Sequence, residues 1–258
     1  MEIIAVTNEN ERLFWNYVNR DRLNYFFFIV DWTQRREQTK IWLATEGEQV
    51  LGSLLVFADS VVQLRGSREA VKKLLERVEF DKVDLQAPLD CEDFICERFK
   101  PRVRQDIVLM RLNRGEEHIQ VVENPVRLSV DDADEISSLL KRCNPERWDE
   151  NVSEKLRKRL RQGWENTCWL GITREKKLVS VGYTSFELDF AANIGIVATD
   201  ENYRGKGYAT SIVSALVQEI FQRLPVALIH VIADNAPAVR AYSKVGFKSY
   251  RTYLSIRS

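Results

Sequence analysis

The sequence is poor in residues that bind metal ions or form disulfide bonds. Its 258 residues include two histidines, His118 and His230, and four cysteines that stand apart without a CxxC pair. Metal centres and disulfide frameworks need such residues in clusters at characteristic spacings. We therefore expect no metal site and no disulfide framework, and we expect most of the cysteines to be buried thiols without a catalytic role.

An excess of charge of either sign is also absent, since Lys plus Arg and Asp plus Glu number 38 each. Proteins whose main partner is nucleic acid usually carry a basic surface, and a neutral chain generates no such field. The most apolar early run, residues 25–30, is too short to cross a bilayer and lacks the basic start of a signal peptide. The composition therefore predicts a cytoplasmic protein with neither a nucleic-acid nor a membrane partner.

The length and the order of predicted elements indicate two modules. A chain of 258 residues exceeds the usual single domain. In residues 9–112, helical patterns lead into three strands, and then into helix, strand, helix and strand; residues 119–256 repeat this order. The polar stretch 113–117 is typical of a linker. We predict α/β modules at residues 1–115 and 116–258, related by duplication.

The segment Tyr-Arg-Gly-Lys-Gly-Tyr-Ala at residues 203–209 joins a predicted strand to a strongly amphipathic helix. Gly205 and Gly207 permit close approach of the backbone, and the free N–H groups at a helix N-terminus favour an anion. Arg204 and Lys206 add positive charge. The segment therefore predicts a site for a phosphate or pyrophosphate group.

Two familiar phosphate loops do not fit this segment. A Walker loop would need glycine at 200 and Ser or Thr at 207, where the sequence has Asp200 and Gly207. A dinucleotide fingerprint starting at Gly205 would need Gly or Ala at 210, where Thr210 stands. Neither a P-loop nucleotide site nor a Rossmann site is predicted.

The segment instead resembles a signature of the GCN5-related N-acetyltransferase (GNAT) family, Gln/Arg-x-x-Gly-x-Gly/Ala. Its key positions are met by Arg204, Gly207 and Ala209. A second family segment, Asn-x-x-Ala-x-x-x-Tyr-x-x-x-Gly-Phe, is matched at the right distance by Asn235, Ala238, Tyr242, Gly246 and Phe247. The resemblance runs from about residue 119 to the C-terminus. It implies two GNAT-like modules, each a mixed, mainly antiparallel twisted sheet flanked by helices.

The resemblance also implies acetyl-CoA as the acyl donor. In the family, the loop amides hold the pyrophosphate of coenzyme A, and the strand before the loop pairs with the pantetheine arm. It assigns cofactor binding to three groups of residues: Ile196, Val197, Ala198 and Thr199 on the strand; Arg204, Gly205, Lys206, Gly207, Tyr208, Ala209 and Thr210 in and after the loop; and Asn235, Ala238 and Tyr242 in the second segment. Asn235 also suits the N-cap of a helix with Pro237 in its first turn, and the two roles are compatible.

Transfer of an acyl group from a thioester to an amine needs a hydrogen-bond donor at the carbonyl oxygen and a proton for the departing sulfur. A backbone amide near Val197 suits the first task. Tyr242 is the candidate acid for the second task, and its alternative role is that of a packed aromatic side chain.

The base that removes the proton from the amine is not evident in the sequence. Histone-type members of the family carry a glutamate at the position that corresponds to Ala191 here. Glu187 and Asp189 lie nearby in sequence, although exposed turn carboxylates are usually only solvated. Direct attack by an amine assisted by ordered water is equally open. We name Glu187 as the candidate base.

The first module lacks the features of the loop. Its matching junction reads Arg65-Gly66-Ser67 and continues with Arg68-Glu69, so the second glycine is missing and a carboxylate is added. A degenerate N-terminal module of this kind resembles that of tandem GNAT proteins. We expect it to take the place of a dimer partner, which would make the chain a monomer.

Three functions remain after these steps. The first is an N-acetyltransferase that moves an acetyl group from acetyl-CoA to a primary amine of a small molecule or peptide by direct transfer. The second is a module that binds acyl-CoA without catalysis, which the missing glutamate at Ala191 favours. The third, modification of tRNA, is disfavoured by the neutral composition. A basic run at 155–161 is compatible with an acidic acceptor and equally with a solvated helix face.

Overall fold

The computed structural model describes residues 1–145, 148, 154, 156–158 and 167–258. The described residues form two compact units. Unit 1 consists of Met1–Leu109, Ile232–Asp234 and Tyr250–Ser258, and unit 2 consists of Met110–Val231 and Asn235–Ser249. The predicted division into a degenerate module 1–115 and a catalytic module 116–258 remains a prediction as regards function. The sequence analysis did not predict that Ile232–Asp234 and Tyr250–Ser258 belong to unit 1.

Unit 1 is a sheet with the strand order β1-β2-β3-β4-β5-β12-β6. Neighbouring pairs β1–β2, β2–β3, β3–β4 and β5–β12 are antiparallel, and β4–β5 is parallel. Its strands are β1 (Glu2–Ala5), β2 (Thr39–Glu46), β3 (Gln49–Phe57), β4 (Val61–Gly66), β5 (Asp84–Ala87), part of β6 (Val103–Asn113) and part of β12 (Lys248–Arg257). Its helices are α1 (Glu11–Val18), α2 (Phe26–Gln34), α3 (Arg68–Leu75) and α4 (Glu92–Phe99).

Helix α3 illustrates how the sequence sets these elements. Ser67 is its N-cap, as predicted, because the Ser67 side chain accepts a hydrogen bond from the amide of Ala70. The buried residues of α3 recur at helical spacing, so one face packs on the sheet. Gly52 on β3 permits this contact, since a Cβ there would lie 2.8 Å from the Ala70 Cβ.

The last strand of the chain belongs to the core of unit 1. Leu254–Arg257 pair antiparallel with Asp84–Ala87 of β5. Leu254 and Ile256 are fully buried in the same apolar cluster as the β4 and α3 side chains. Unit 1 is therefore completed by residues that lie more than 140 positions after the end of β6.

Unit 2 has the strand order β6-β11-β10-β9-β8-β7. Pairs β7–β8, β8–β9 and β9–β10 are antiparallel, and β10–β11 is parallel. Its further elements are β7 (Val126–Arg127), α5 (Ala133–Cys143), β8 (Trp169–Arg174), β9 (Lys177–Leu188), β10 (Ala191–Thr199), α6 (Tyr208–Phe221), β11 (Val226–Ile232) and α7 (Ala236–Val245). The predicted fold class, a mixed and mainly antiparallel sheet flanked by helices, is confirmed.

The prediction differs from the structure at the starts of both modules. Strand β1 was not predicted. Of the two alternative starts of the second module, the structure has a strand at Val126–Arg127 and none at 119–122. The predicted helix at 151–162 lies largely outside the described residues. None of the helices in the described ranges combines the length and hydrophobicity that crossing a bilayer requires.

Candidate active site

Strands β10 and β11 of unit 2 diverge halfway along their length. Their parallel pairing covers Ala192↔Ala227, Asn193↔Leu228 and Ile194↔Ile229, and within these two described strands it extends no further. Strand β10 continues on its other side against β9 as far as Thr199. Burial changes at the same point, because 191–194 are buried and 195–199 are partly exposed. A cleft therefore opens beside β10, with unpaired backbone along one side.

A β-bulge lies at the start of this cleft. Ile194 faces Thr184 of β9, whereas Val197 faces Gly182, so two residues of β10 stand opposite the single residue Tyr183. Bulges of this kind bend a strand and change the direction of its side chains. One of the two residues is Gly195, where a Cβ would lie 2.5 Å from the Tyr183 ring. The bulge and the glycine together let the tyrosine ring pack onto the strand.

Asp200 holds the chain where β10 ends. It is 3% exposed, accepts a hydrogen bond from Arg142 Nε at 3.0 Å and lies 3.5 Å from Lys177 Nζ. Its Oδ1 also accepts a hydrogen bond from the amide of Asn202 and so caps the short turn Glu201–Tyr203. Burial acts to raise the pKa of Asp200, but these hydrogen bonds and cations lower it below its usual value. The carboxylate therefore fixes the direction in which the loop leaves the strand.

The predicted phosphate loop follows this turn and is open. Gly205 and Gly207 have φ of +77° and +80°, values that favour glycine. A Cβ on Gly205 would meet no atom of the described residues within 4 Å, so the space beside this glycine is open in the described part of the chain. Gly207 is the N-cap of α6, and no side chain in the described ranges caps this helix through a hydrogen bond.

The N-terminus of α6 presents backbone donors at this open loop. The amide of Ser211 donates to Gly207 O at 3.0 Å, which leaves the amides of Tyr208, Ala209 and Thr210 without an intrahelical acceptor. The helix has 14 residues, so its dipole adds to the attraction for an anion. Arg204, which donates to Thr199 O at 3.3 Å, is exposed beside the loop. The residues present therefore fit the pyrophosphate of coenzyme A.

Residues 120–123 lie along the first turns of α6. The amide of Val122 donates to Ser211 Oγ at 3.0 Å, and a Cβ on Gly207 would lie 2.9 Å from the Val122 side chain. Arg174 donates to the Tyr208 hydroxyl at 3.1 Å and also pairs with Glu123. Tyr208 is thereby anchored through its hydroxyl, so its expected contribution to cofactor binding would come from its backbone amide.

The second family segment forms helix α7. Asn235 caps this helix, since its Oδ1 accepts a hydrogen bond from the amide of Ala238 at 3.2 Å, and Pro237 lies in the first turn. The capping role is therefore confirmed, and the contact of Asn235 and Ala238 with the cofactor stays a prediction. Gly246, with φ of +110°, ends the helix.

Tyr242 lies on the buried side of α7. It is 6% exposed, its ring centroid is 6.4 Å from that of Phe247, and burial raises its pKa to about 12. Among the described residues its hydroxyl has no hydrogen-bond partner. A neutral hydroxyl that keeps its proton and lacks an internal partner is suited to donate to a ligand atom.

The candidate base Glu187 has a strong partner within unit 2. It lies near the end of β9 opposite Ala192 and accepts a hydrogen bond from Arg223 Nη2 at 2.6 Å. The Arg223 guanidinium therefore occupies an oxygen of this carboxylate within unit 2. Ala191, which stands where the histone-type enzymes carry glutamate, is fully buried. Neither position supplies a free carboxylate at the cleft.

One group at the cleft was missed by the sequence analysis. His230 of β11 follows Ile229, the last residue paired with β10, and its Nδ1 lies 3.2 Å from Asn193 Oδ1. Asn193 is 4% exposed. A lone histidine in an apolar strand gives no motif, so only the parallel register of β10 and β11 brings these side chains together.

The equivalent position of unit 1 is closed. Pairing of β4 with β5 ends at Gln63↔Gln86, and Arg65, 4% exposed, fills the space beyond. Its guanidinium donates to Leu64 O at 2.9 Å and lies 3.9 Å from the centroid of the Tyr253 ring.

The junction before α3 is also more closed than the loop before α6. A Cβ on Gly66 would lie 2.3 Å from Gly52 Cα, so this glycine is packed against β3. The Ser67 side chain also uses the amide of Ala70, which is one of the donors that a phosphate would need. These features support the prediction that unit 1 does not bind coenzyme A.

The basic run that was considered for an acidic acceptor is only partly described. Lys155, Arg159 and Arg161 lie outside the described residues. Arg157 pairs with Asp134 at 3.3 Å, and Trp169 is a core residue with its ring stacked on Tyr183 at 4.1 Å between centroids. In the described ranges no three His, Cys, Asp or Glu side chains come close enough to hold a metal ion.

Comparison with known proteins supports the assignment of the fold. Residues 169–256 match the family model described as FR47-like protein. The chain is similar to an X-ray structure of a Drosophila protein (TM-score 0.72, 11% identity, 98% of each chain covered). It is also similar to a tandem GNAT protein from the clavulanic acid biosynthesis pathway, solved without AcCoA (TM-score 0.62, 11% identity, 100% of this chain and 98% of that chain covered).

A further similar structure is an acetyltransferase of the GNAT family from Colwellia psychrerythraea (TM-score 0.59, 12% identity, 100% and 99% covered). No curated protein sequence matches the chain significantly. At these identities the structural matches establish the fold alone. The chain has the GNAT fold of tandem type along its length, and residues 169–256 carry the FR47-like sequence pattern of that fold.

Proposed function

We propose that this protein is an N-acetyltransferase that moves an acetyl group from acetyl-CoA to a primary amine of a small molecule or peptide. The observation that carries the proposal is the cleft of unit 2, in which β10 separates from β11 at Ile194 and leads to the open N-terminus of α6. A strand with an unpaired edge and a helix with free amides fit the two ends of one long anionic ligand.

The residues of the cleft have separate tasks in this proposal. The amides of residues 207–210 bind the pyrophosphate, with Arg204 and Lys206 adding charge. The backbone of Ile196, Val197, Ala198 and Thr199 pairs with the pantetheine arm, and the amide near Val197 donates to the thioester carbonyl. The bound thioester supplies an activated acyl carbon. Tyr242 gives the departing sulfur its proton, because its buried hydroxyl stays neutral and has no hydrogen-bond partner among the described residues.

A binding module without catalysis is the second candidate function. Two observations favour it: Ala191 is buried where related enzymes carry glutamate, and Glu187 is engaged by Arg223. Such a module would need the loop and the strand edge and would have no use for the Tyr242 hydroxyl.

Two measurements on the full chain separate these functions. Calorimetry with acetyl-CoA is expected to give micromolar affinity, in the range of about −8 kcal/mol. Release of free coenzyme A is then measured with a panel of amino acids, polyamines, aminoglycosides and peptides. Turnover with any amine supports the enzyme, binding without turnover supports the module, and absence of binding contradicts both. Cytoplasmic location, an amine rather than a nucleic acid as partner, and a monomeric state remain predictions.

A further inference from the structure

The ring of His230 is fixed at the point where the cleft begins. His230 is the first residue of β11 after the last pair with β10, Ile194↔Ile229. Its Nδ1 lies 3.2 Å from Oδ1 of Asn193, which is almost fully buried on the neighbouring strand. The imidazole itself is only partly buried. One ring nitrogen, Nδ1, is therefore held by a buried partner, while part of the ring remains exposed.

Hydrogen bonds within β10 and to the neighbouring strand β9 determine which atom of Asn193 faces the imidazole. The Nδ2 group donates to the backbone carbonyl of Ile194 at 3.1 Å and to Ser185 Oγ at 2.8 Å. A carbonyl can only accept, so the amide nitrogen must lie on that side and the amide oxygen on the side of His230. The Ser185 hydroxyl in turn donates to the carbonyl of Asn193 at 3.2 Å. The orientation of Asn193 is thus set by two independent partners.

The orientation of Asn193 then determines the tautomer of His230. An amide oxygen accepts and cannot donate, so Nδ1 must carry the hydrogen that lies between the two groups. In the neutral imidazole the lone pair is therefore on Nε2. When Nδ1 of a histidine donates to a fixed acceptor, Nε2 carries the lone pair and can accept a proton.

The position of His230 matches the reacting end of the proposed ligand. Residues 195–199 extend from the divergence point toward the phosphate loop, and four steps of about 3.3 Å place the two ends about 13 Å apart. With the pyrophosphate bound at Gly205 and Gly207, the arm along β10 would bring its thioester end to the divergence point. An amine that attacks there would approach His230.

No carboxylate of β9 or β10 in the described part of unit 2 offers a better acceptor at this place. Glu187 is ion-paired with Arg223, and the strand positions nearest the bulge are Gly195 and Tyr183, whose ring is stacked on Trp169. Ala191 has no titratable group. Among the described residues of β9, β10 and β11, His230 is therefore the side chain next to the divergence point that can accept a proton.

We propose that His230 is the catalytic base for the acceptor amine and that Asn193 is its positioning residue; this inference rests on the proposed acetyl transfer. Nε2 of His230 takes one proton from the acceptor ammonium. The amine nitrogen then forms the new C–N bond, and the C–S bond breaks. The amine nitrogen loses its second proton to the phenolic oxygen of Tyr242, which has already donated its own proton to the sulfur. His230 finally releases its proton to solvent, so one amide, one thiol and one proton are formed.

The first test needs no ligand and uses the fact that the chain has only two histidines. In a His118→Gln protein labelled with ¹⁵N-histidine, every imidazole signal comes from His230. The expected result is the tautomer with hydrogen on Nδ1, and Asn193→Ala should convert it into a mixture. Observation of the Nε2–H tautomer in the protein with native Asn193 would overturn the proposed orientation.

The second test compares the pH dependence of turnover in His230→Gln and in the native chain, with acetyl-CoA and the amine of highest turnover from the panel. At pH 7 the variant is expected to lose about 10²- to 10⁴-fold in kcat. This loss should shrink as the pH approaches the pKa of the amine itself, about 10.4 for a lysine-like amine, because the neutral amine no longer needs a base. His118→Gln, at an exposed position outside the site, should retain native kcat at every pH.

Calorimetry with acetyl-CoA distinguishes the possible failures. If His230→Gln binds acetyl-CoA as the native chain does and has the same kcat and the same pH profile, His230 is not the base. If the native chain neither binds acetyl-CoA nor acetylates any amine, the proposed function itself is wrong. Should His230→Gln not fold, Asn193→Ser replaces it: an altered pH profile with unchanged acetyl-CoA affinity supports the relay, and an unaltered profile contradicts it.

Discussion

At the scale of single residues, Tyr242 shows how burial prepares a side chain for chemistry. Its hydroxyl has no hydrogen-bond partner in the described ranges, and desolvation raises its pKa to about 12. A raised pKa means that the neutral, proton-donating form persists as the pH rises from 7 to about 11. The tyrosine therefore still carries its proton at a pH of about 10.4, where half of a lysine-like amine is neutral.

We predict that Tyr242→Phe lowers kcat about 10²-fold and leaves acetyl-CoA affinity nearly unchanged, because the ring is retained and only the proton is removed. Steady-state kinetics and calorimetry measure the two quantities. The matched control is Tyr253→Phe, which removes the hydroxyl of another buried tyrosine, one that donates to Asn24 in unit 1. Native kcat in Tyr242→Phe would assign the proton to water or to another residue.

Gly207 is a second residue at which a single substitution is expected to impair function. We predict that Gly207→Glu weakens acetyl-CoA binding by about tenfold or more, because the new side chain enters the anion site and meets Val122. The control is Gly47→Glu, which also stands at positive φ, +58°, but in a hairpin of unit 1. Both variants carry backbone strain, so a weaker affinity in both would show that strain alone explains the effect.

At the scale of elements, the sequence predicted those parts whose signal is local. Ser67 and Asn235 were predicted as caps because each precedes a predicted helix, the second with Pro237 in its first turn, and both accept the expected backbone hydrogen bond. The loop before α6 was predicted from its two glycines and the amphipathic helix that follows them. The point at which β10 and β11 stop pairing could not be predicted in this way, because no residue type in either strand marks the end of the pairing. His230 was missed for this reason.

The sheet partner of the last strand, β12, could not be predicted from local sequence either. The pattern of β12 shows that a strand forms, but its partner β5 is more than 160 residues earlier in the chain. The buried Arg65 is a similar case, because its sequence signal is that of an exposed loop residue and its burial follows from the Gln63 and Tyr253 side chains around it. Long-range pairing decided both features.

The pairing of β12 with β5 leads to a prediction for this element. Ile256 is fully buried in the core of unit 1. We expect Ile256→Ala to lower the free energy of unfolding by about 2–5 kcal/mol, as for other large-to-small core changes. Arg257→Ala, at an exposed position of the same strand, should have little effect. Denaturant unfolding followed by circular dichroism measures both, and equal stability of the two variants would contradict the assignment of β12 to this core.

At the scale of the whole molecule, a tandem protein need not consist of two consecutive folding units. Unit 1 includes Tyr250–Ser258, so a cut at the linker near residue 115 separates β12 from the sheet that it completes. The sequence predicted that residues 1–115 form a complete module. In the structure, a fragment with these bounds would lack Leu254 and Ile256 and would leave one side of β5 unpaired.

We therefore predict that the fragment 1–115 is at most partly folded alone and that a synthetic peptide of residues 248–258 restores its structure. The physical reason is that the peptide supplies four paired residues and two fully buried side chains to an exposed strand edge. Amide spectra of the labelled fragment, titrated with the peptide, should change from few dispersed signals to many. A peptide with Leu254→Asp and Ile256→Asp keeps the length and should not restore them. A well-dispersed spectrum of the fragment without peptide would show that unit 1 folds without its last strand.

The fragment completed by the peptide should still give no calorimetric signal with acetyl-CoA, because Arg65 fills the cleft beside β4 and Ser67 uses an amide of α3.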